Sequence, residues 1–224
     1  MKNIAIITAR GGSKRIPRKN IKEFMGKPMI AYAIEAALES KIFDEVMVST
    51  DDEEIATIAK KCGAKVPFMR SDATSNDFAT TADVLNEVID EYKKRGKIFD
   101  NICCIYPCVP FLMGDILKDA FNKFISSETD RQIPVVRFSF PIQRAFRVND
   151  KGFLEYREPE NALKRSQDLE PMYHDVGMFY FYKQDKLNSK NISSYEMKEE
   201  NIQDIDTPED WQMAELKYRV KNGI

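Results

Sequence analysis

The chain has 224 residues, which is enough for one domain with a substantial buried core. Its 34 basic and 36 acidic side chains leave a formal charge of −2, so no overall field attracts nucleic acid or an anionic membrane. The sequence shows no apolar run near the roughly 20 residues that span a bilayer and no signal-peptide pattern, so we expect a cytoplasmic protein that binds neither partner.

Short apolar runs alternate with segments of helical periodicity through the first part of the chain. Strands are predicted at 3–8, 45–50, 64–70, 101–106 and 132–138, the third weakened by Pro67. Helices are predicted at 28–39, at 51–63, through Val84 to Tyr92 and at 114–126. Thr50 with Glu53 fits a capping box for the second helix, and Gly63 fits its end. This alternation predicts an α/β fold, Rossmann-like, with a mostly parallel sheet and helices on both faces.

The alternation stops between residues 138 and 175, where turn residues, arginines and aromatic residues follow one another without a helical face. A further strand is predicted at 176–182, and a closing helix begins with Thr207 as N-cap and Pro208 at its first position. We interpret 138–175 as a small β-rich insertion in a single domain spanning 1–224. It is expected to form a substrate lid, a subunit contact, or both.

The loop after the first strand, "ARGGSKRIPRKN" at 9–20, contains two adjacent glycines and no acid. In an open parallel sheet, ligands bind beyond the carboxyl ends of the strands, where this loop must lie. Gly11 and Gly12 leave backbone N–H groups open to an anion. Five cations suit a phosphate chain: Arg10, Lys14, Arg15, Arg18 and Lys19. The spacing fits neither a P-loop nor a GxGxxG motif, and the alternative is a solvated surface turn.

Two aspartates, Asp204 and Asp206, flank Ile205 immediately before the closing helix. In extended backbone, side chains two residues apart share a face about 6 to 7 Å from one another, so Ile205 is expected to point the other way, inward. Two carboxylates placed in this way repel unless a cation lies between them. The pair therefore predicts a Mg²⁺ site completed by substrate phosphates. The alternative is that Asp206 only stabilises the N-terminus of the closing helix.

The four cysteines and the one histidine of the chain do not fit a zinc site. Such a site needs paired cysteines and histidines at ligand spacing. We expect the thiols to be structural or incidental, because free cysteines are generally buried.

The segments described above together resemble the acylneuraminate cytidylyltransferases, which activate nonulosonic acids as CMP-sugars. "IITARGGSKRIPRKNI" is similar to the N-terminal signature of that family, and "GKPMIAYAIEAALES", "FDEVMVSTDDEEIA", "VPFMRSDATSND" and "DIDTPEDW" follow in the family's order. "YPCVPFL", "SFPIQRAF" and "RSQDLEPMYHDVGMFY" resemble the pseudaminic acid branch most. The resemblance implies a nucleotidyltransferase that uses Mg²⁺ to transfer CMP from CTP to the anomeric hydroxyl of pseudaminic acid, releasing pyrophosphate.

The resemblance also implies roles for particular residues. The nucleotide-binding set is Arg10, Gly11, Gly12, Ser13, Lys14, Asn20, Arg70, Asp77 and Thr80. The sugar-binding set is Tyr106, Gln143, Arg144, Arg165, Gln167 and His174. Arg10, Lys14, Asp204 and Asp206 are expected to act in catalysis, with the two aspartates as ligands of Mg²⁺. Members of the family are typically homodimers joined through the late insertion, which gives 138–175 its expected subunit contact.

The chain departs from the sialic acid members after the fourth strand, where it has Tyr106 to Pro110 in place of a Gln-Pro-Thr-Ser-Pro-like stretch. The acceptor therefore stays open among pseudaminic, N-acetylneuraminic and legionaminic acids and Kdo. A nucleotide-sugar glycosyltransferase is the alternative from another class, but its D-x-D motif is expected near the middle of the chain. A non-catalytic nucleotide-binding protein is the remaining alternative.

Overall fold

The computed structural model describes residues 1–224. Its strands are β1 (Asn3–Thr8), β2 (Glu23–Phe24), β3 (Lys27–Pro28), β4 (Glu45–Ser49), β5 (Asn101–Ile105), β6 (Arg131–Arg137), β7 (Phe146–Val148), β8 (Leu154–Tyr156), β9 (Tyr173–Asp175), β10 (Phe179–Lys183) and β11 (Ile192–Glu196). Its helices are α1 (Met29–Ser40), α2 (Glu53–Lys61), α3 (Asp72–Ser75), α4 (Thr81–Lys94), α5 (Gly114–Ser126) and α6 (Pro208–Asn222). None of these helices combines the length and the apolar character that crossing a membrane requires.

Seven strands form one sheet. Six of them follow the order β11-β6-β10-β5-β1-β4, and the seventh, β9, pairs with β6 outside this order. β4 and β5 lie parallel to β1 on its two sides. β10 runs antiparallel to both β5 and β6, so β6 points the same way as β5, and β11 is parallel to β6. The prediction of a mostly parallel α/β sheet is confirmed, because only β9 and β10 run against the others. The carboxyl ends of β1, β4, β5 and β6 consequently lie at one edge of the sheet.

The two faces of this sheet are covered by different helices, as predicted. Ala5 and Ile7 of β1 enter a core of 25 buried residues that includes residues of α1, α2 and α5. Ile4 and Ile6 point to the opposite face and enter a core of 12 buried residues with α4. Burial on both faces is why β1 is an uninterrupted apolar run rather than an alternating one.

Two local predictions are wrong, and both concern residues around α2. Asp52, not Thr50, is the N-cap, since its side chain accepts hydrogen bonds from the backbone N–H groups of Glu54 and Ile55. The Thr50 hydroxyl instead accepts from the N–H of Asp52. The predicted strand at 64–70 is reduced to one bridge between Met47 and Lys65, because Pro67 offers no N–H to a ladder.

The residues predicted to end α2 and to begin α6 have these positions in the structure. Gly63 follows α2 with φ +97°, in the left-handed region that favours glycine. Thr207 caps α6 in a capping box with Asp210, and Pro208 occupies the first helical position. These contacts fix where the backbone carrying Asp204 and Asp206 turns into the helix.

The segment 138–175 holds the hairpin β7–β8, three 3₁₀ turns and β9, and it contains no α-helix. Its apolar side chains are unusually exposed, with Phe140 at 84%, Phe153 at 67% and Leu163 at 99%. The β-rich character agrees with the sequence. A lid or subunit contact formed by this segment stays a prediction.

Glu45, at the start of β4, is a buried carboxylate whose charge is compensated on three sides. It accepts hydrogen bonds from Lys97 at 2.8 Å, from the Tyr92 hydroxyl at 2.5 Å and from Lys65 at 3.1 Å. Burial raises the pKa of Glu45, but the bonds from Lys97, Tyr92 and Lys65 outweigh it, so the pKa lies below its ordinary value. The carboxylate therefore stabilises the fold in its ionised form.

Glu45→Gln is expected to lower the free energy of unfolding by about 1.5 to 3 kcal/mol at neutral pH, the usual value of hydrogen bonds to a charged group. A depressed folded-state pKa gives a contribution that is present above the unfolded value, about 4.3, and lost as pH falls through the folded value. Urea unfolding of both proteins at about pH 7 and about pH 3 measures this, with the difference shrinking in acid. Asp90→Asn, which alters an exposed carboxylate on α4, is the control. Equal effects of the two substitutions would contradict the assignment.

Candidate active site

A cleft of about 830 Å³ opens at the carboxyl edge of the sheet. Its walls come from the loop after β1, the segment before α4, the turn after β5, the turn before β10 and the backbone before α6. Eleven of the residues predicted for the site line it: Arg10, Gly12, Ser13, Lys14, Asn20, Arg70, Asp77, Thr80, Tyr106, Asp204 and Asp206. The cationic loop and the aspartate pair therefore share one cavity, as the sequence predicted.

Apolar packing holds these two segments together although they are far apart in sequence. Ile16 of the loop and Ile205 of the aspartate pair are 3% and 2% exposed and belong to the same buried cluster as Trp211. Lys19 donates to the carbonyl of Ile205 at 2.7 Å, across 186 residues. Ile205 thus points into the core as predicted, and the carboxylates on either side of it face the cleft.

Ion pairs within the cleft neutralise the cationic loop. Asp77 accepts from Lys14 at 2.6 Å and from Arg10 at 2.8 Å, which lowers its pKa below the ordinary value. Further along the same loop, Arg15 and Lys19 pair with Asp206 at 3.0 and 3.4 Å. A phosphate chain that binds these cations must therefore displace the carboxylates of Asp77 and Asp206 from them.

Gly11 is required by packing rather than by direct contact with the cleft. A Cβ at this position would lie 2.8 Å from Oδ2 of Asp52 and 3.1 Å from its Cβ. The Asp52 carboxylate is itself fixed by Arg18, whose hydrogen bond lowers the pKa of Asp52 to about 2. The backbone N–H of Gly11 donates to Asp51 at 2.9 Å. Gly12, by contrast, lines the cleft, and a Cβ added to it would meet no atom within 4 Å.

Gly11→Ala is expected to lower the free energy of unfolding by about 1 to 3 kcal/mol, the usual cost of overpacking. Gly12→Ala is the matched control, because its side chain would enter open space, and it should change stability by less than about 0.5 kcal/mol. Thermal or urea unfolding of both variants compares them. Equal stability of the two variants would show that Asp52 moves freely and that Gly11 is not constrained.

Three of the predicted nucleotide-binding residues hold the walls of the cleft. Asn20 is 4% exposed, and its side chain donates to the carbonyl of Arg10 at 2.8 Å. Arg70 is 8% exposed and donates to the hydroxyl and the carbonyl of Ser49 at 3.0 and 2.6 Å. Thr80 is the N-cap of α4. Their predicted contacts with nucleotide stay predictions beside these structural roles.

The floor of the cleft contains residues that the sequence did not single out. Asp175 accepts from the Tyr180 hydroxyl at 3.0 Å and from the N–H of Gly177 at 2.8 Å. Beside them, the hydroxyls of Tyr106 and Thr81 lie 3.2 Å apart, and burial raises the pKa of Tyr106. Asp175 is the last residue of β9, and β10 begins shortly after it; no local sequence pattern marks this acid.

The predicted sugar-binding residues are divided by the structure. Tyr106 lines the cleft, and His174 lines a second cavity beside it. The other four, Gln143, Arg144, Arg165 and Gln167, line neither of these cavities. They lie within the inserted segment, where the Gln143 amide donates to the Glu170 carbonyl at 2.8 Å. Sugar binding by these four residues stays a prediction.

The thiols are all free, and two of them, Cys103 and Cys104, are buried in β5. Cys108 lines the cleft, but burial raises the pKa of its thiol to about 12. The thiol therefore stays protonated at neutral pH and is not available as a nucleophile.

The donor set of the aspartate pair fits a hard divalent cation. Carboxylate oxygens are the ligands that Mg²⁺ prefers, and it commonly takes one or two of them together with substrate phosphates and water. The protein offers no group of three or more histidine, cysteine or acidic side chains that would hold a metal alone. Asp204 is exposed, and its carboxylate accepts no hydrogen bond from the protein. Asp206 must first give up its ion pairs with Arg15 and Lys19.

Comparison with known proteins connects this geometry to a family. Residues 4–218 match the family model described as cytidylyltransferase. The pseudaminic acid cytidylyltransferase of Campylobacter jejuni is 43% identical, over 99% of this chain and 98% of that protein. The CMP-N,N'-diacetyllegionaminic acid synthase of Legionella pneumophila is 33% identical, over 96% and 95%. CMP:2-keto-3-deoxy-manno-octonic acid synthetase, solved in complex with CTP, superposes with a TM-score of 0.72 at 20% identity over the full length of both chains.

Proposed function

Because this chain belongs to the cytidylyltransferase family, we propose that it transfers CMP from CTP to the anomeric hydroxyl of pseudaminic acid and releases pyrophosphate. The relative that is 43% identical over nearly the whole length of both chains supports pseudaminic acid as the acceptor. The observation that carries the proposal is the meeting of the cationic loop and the aspartate pair in one cleft. A nucleotide triphosphate and a sugar hydroxyl need both sides of such a cleft.

The nucleotide half of the reaction falls to the cations of the loop after β1. When CTP binds, Arg10 and Lys14 release Asp77 and pair with the triphosphate. Each cation thus loses one anionic partner and gains another. In the transition state, negative charge grows on the departing pyrophosphate, and positively charged donors already in place stabilise that charge. Preorganisation of the loop by Asn20 and Gly11 keeps these donors aimed into the cleft.

The aspartate pair supplies the metal site of the proposal. Asp204 and Asp206 would hold Mg²⁺, which when bound neutralises charge on phosphate oxygens and acidifies a coordinated hydroxyl. Arg15 and Lys19 hold the Asp206 carboxylate in place until the exchange. The histidine of the chain, His174, lies in the second cavity and takes no part in proton transfer in this scheme.

We also propose that the protein acts as a homodimer joined through residues 138–175. Support comes from the exposed apolar side chains of that segment, which include Phe140, Phe146 and Leu163. Large apolar residues clustered on one exposed segment are typical of interaction sites. In a dimer, the same segment would bring the four remaining sugar-binding candidates to an interface.

The proposed function is tested by pyrophosphate release from purified protein, CTP and a panel of sugar acids, with and without Mg²⁺. The panel holds pseudaminic, N-acetylneuraminic and legionaminic acids and Kdo. Release with pseudaminic acid alone, and only with the metal, is the expected result. Release with legionaminic acid instead would replace the acceptor. CTP hydrolysis without any sugar, or no release with any of them, would overturn the transfer reaction.

A further inference from the structure

A second cavity, of about 340 Å³, lies beside the cleft and shares three of its lining residues, Asp175, Val176 and Asp204. Its volume is within the range of about 300 to 1,000 Å³ that is typical of small-molecule pockets. The other walls come from the end of β6, the residues before Asp204 and Lys217 of α6. Lys217 closes that wall by donating to the carbonyl of Glu199 at 2.8 Å.

Arg137 is the last residue of β6 and lines this cavity. β6 points in the same direction as β1 and β5, so its carboxyl end lies at the edge of the sheet where the cleft opens. Val135 pairs directly with Asp175 and Arg137 with Tyr173. Residues two apart on a strand share a face with each other and with their cross-strand partners. The Arg137 side chain therefore emerges on the same face as Asp175.

The charge of Arg137 is uncompensated, in contrast to the four cations of the loop that line the cleft. Arg10, Lys14, Arg15 and Lys19 each have a carboxylate within 3.4 Å. No carboxylate lies within ion-pair distance of the Arg137 guanidinium, and none of its nitrogens donates a hydrogen bond within the protein. An arginine with free donors at a cavity is a ready receptor for a carboxylate, which it binds through two parallel hydrogen bonds.

We infer that Arg137 binds the carboxylate of the sugar acid in this second cavity, an assignment that rests on the proposed function. A nonulosonic acid carries its carboxylate directly on the anomeric carbon. The anomeric hydroxyl must reach the nucleotide in the cleft, so the carboxylate must be held close to the boundary between the two cavities. Arg137 lines the second cavity with free donors, on the same face of the sheet as Asp175, which lines both cavities. Arg144 and Arg165 line neither cavity.

Steady-state kinetics of Arg137→Ala test this specificity role. The KM for the sugar acid is expected to rise about 10-fold to 100-fold, as for the loss of a hydrogen bond to a charged group, while the KM for CTP changes little. Wild-type protein should prefer the free acid over its methyl ester, and Arg137→Ala should lose that preference. Arg137→Lys should restore part of it, because the charge returns without the planar fork.

Arg219→Ala, which removes an exposed arginine on α6 outside both cavities, is the matched control for loss of charge. Thermal unfolding of each variant confirms that it is folded. An active wild type together with an unchanged sugar KM in Arg137→Ala would overturn this inference alone, as would retained discrimination against the ester. A wild type that uses none of the acids would overturn the proposed function and this inference together.

Discussion

Replacing Asp206 with alanine is expected to lower kcat/KM for CMP transfer by about 100-fold to 1,000-fold, the usual loss when one preorganised electrostatic partner of the transition state is removed. The substitution takes away half of the aspartate pair and also the anchor of Arg15 and Lys19. Arg15 then has no ion-pair partner in the cleft, and Lys19 keeps only its hydrogen bond to the Ile205 carbonyl. Loss of metal binding and loss of loop order act on the same step.

Stability should change little in the same variant. Arg15 is exposed and Asp206 is partly exposed, and Lys19 keeps its hydrogen bond to the Ile205 carbonyl. Ion pairs open to solvent contribute about 0 to 1 kcal/mol, so the Tm should fall by no more than about 4 °C. Activity measured across a Mg²⁺ titration, with thermal unfolding alongside, tests the prediction. Asp90→Ala, on the exposed face of α4, is the control. A folded Asp206→Ala protein with normal Mg²⁺-dependent turnover would remove Asp206 from the site.

Lys14→Ala is expected to lower kcat/KM by about 30-fold to 1,000-fold, which corresponds to about 2 to 4 kcal/mol of transition-state stabilisation. The Lys14 ammonium lies 2.6 Å from Asp77 and lines the cleft. Arg10 still pairs with Asp77 in this variant, so the Asp77 side chain keeps one of its two ion-pair partners. The loss should therefore appear as weaker stabilisation of the departing phosphates rather than as a rearranged cleft.

Lys22→Ala provides the matched control for Lys14. Its ammonium lies 4.5 Å from the centre of the Trp211 ring, away from the cleft, and losing an exposed cation–π contact costs only about 0.5 to 1 kcal/mol of stability. Activity of Lys22→Ala should stay close to that of the wild type. An unchanged kcat/KM in Lys14→Ala would remove Lys14 from the mechanism. Equal losses in both variants would show that general charge matters and that the position of Lys14 does not.

The predictable parts of the site are those that a short segment of the sequence specifies by itself. The glycine-containing cationic loop follows an apolar strand, and the α/β pattern places it at the ligand edge of the sheet. The spacing Asp-Ile-Asp before a capped helix predicted that Ile205 would turn inward, and it is 2% exposed. These features need no knowledge of which strands are neighbours.

The parts that were missed depend on long-range pairing or on competition between neighbours. Asp175 belongs to the cleft because β9 pairs with β6 and β10 inserts beside β5, which no local pattern specifies. Thr50 and Asp52 both have a side chain that can cap α2. Asp52 is the cap because it directly precedes the helix, in extended backbone. Arg137 carries no motif at all. Its proposed role in sugar binding follows only from the direction of β6 and from the missing partner of its guanidinium.

The position of β10 in the sheet has a consequence for how the chain acquires its structure. Residues 179–183 lie between β5 and β6, although β5 ends at Ile105 and β6 at Arg137, much earlier in the chain. Until the ribosome has released β10, β6 has no neighbour joining it to β1, β4 and β5. Pairings at such long sequence separation slow folding, because the chain loses loop-closure entropy before the contacts that offset this loss can form. A fragment ending at Arg137 would accordingly expose an unpaired, aggregation-prone strand edge during synthesis.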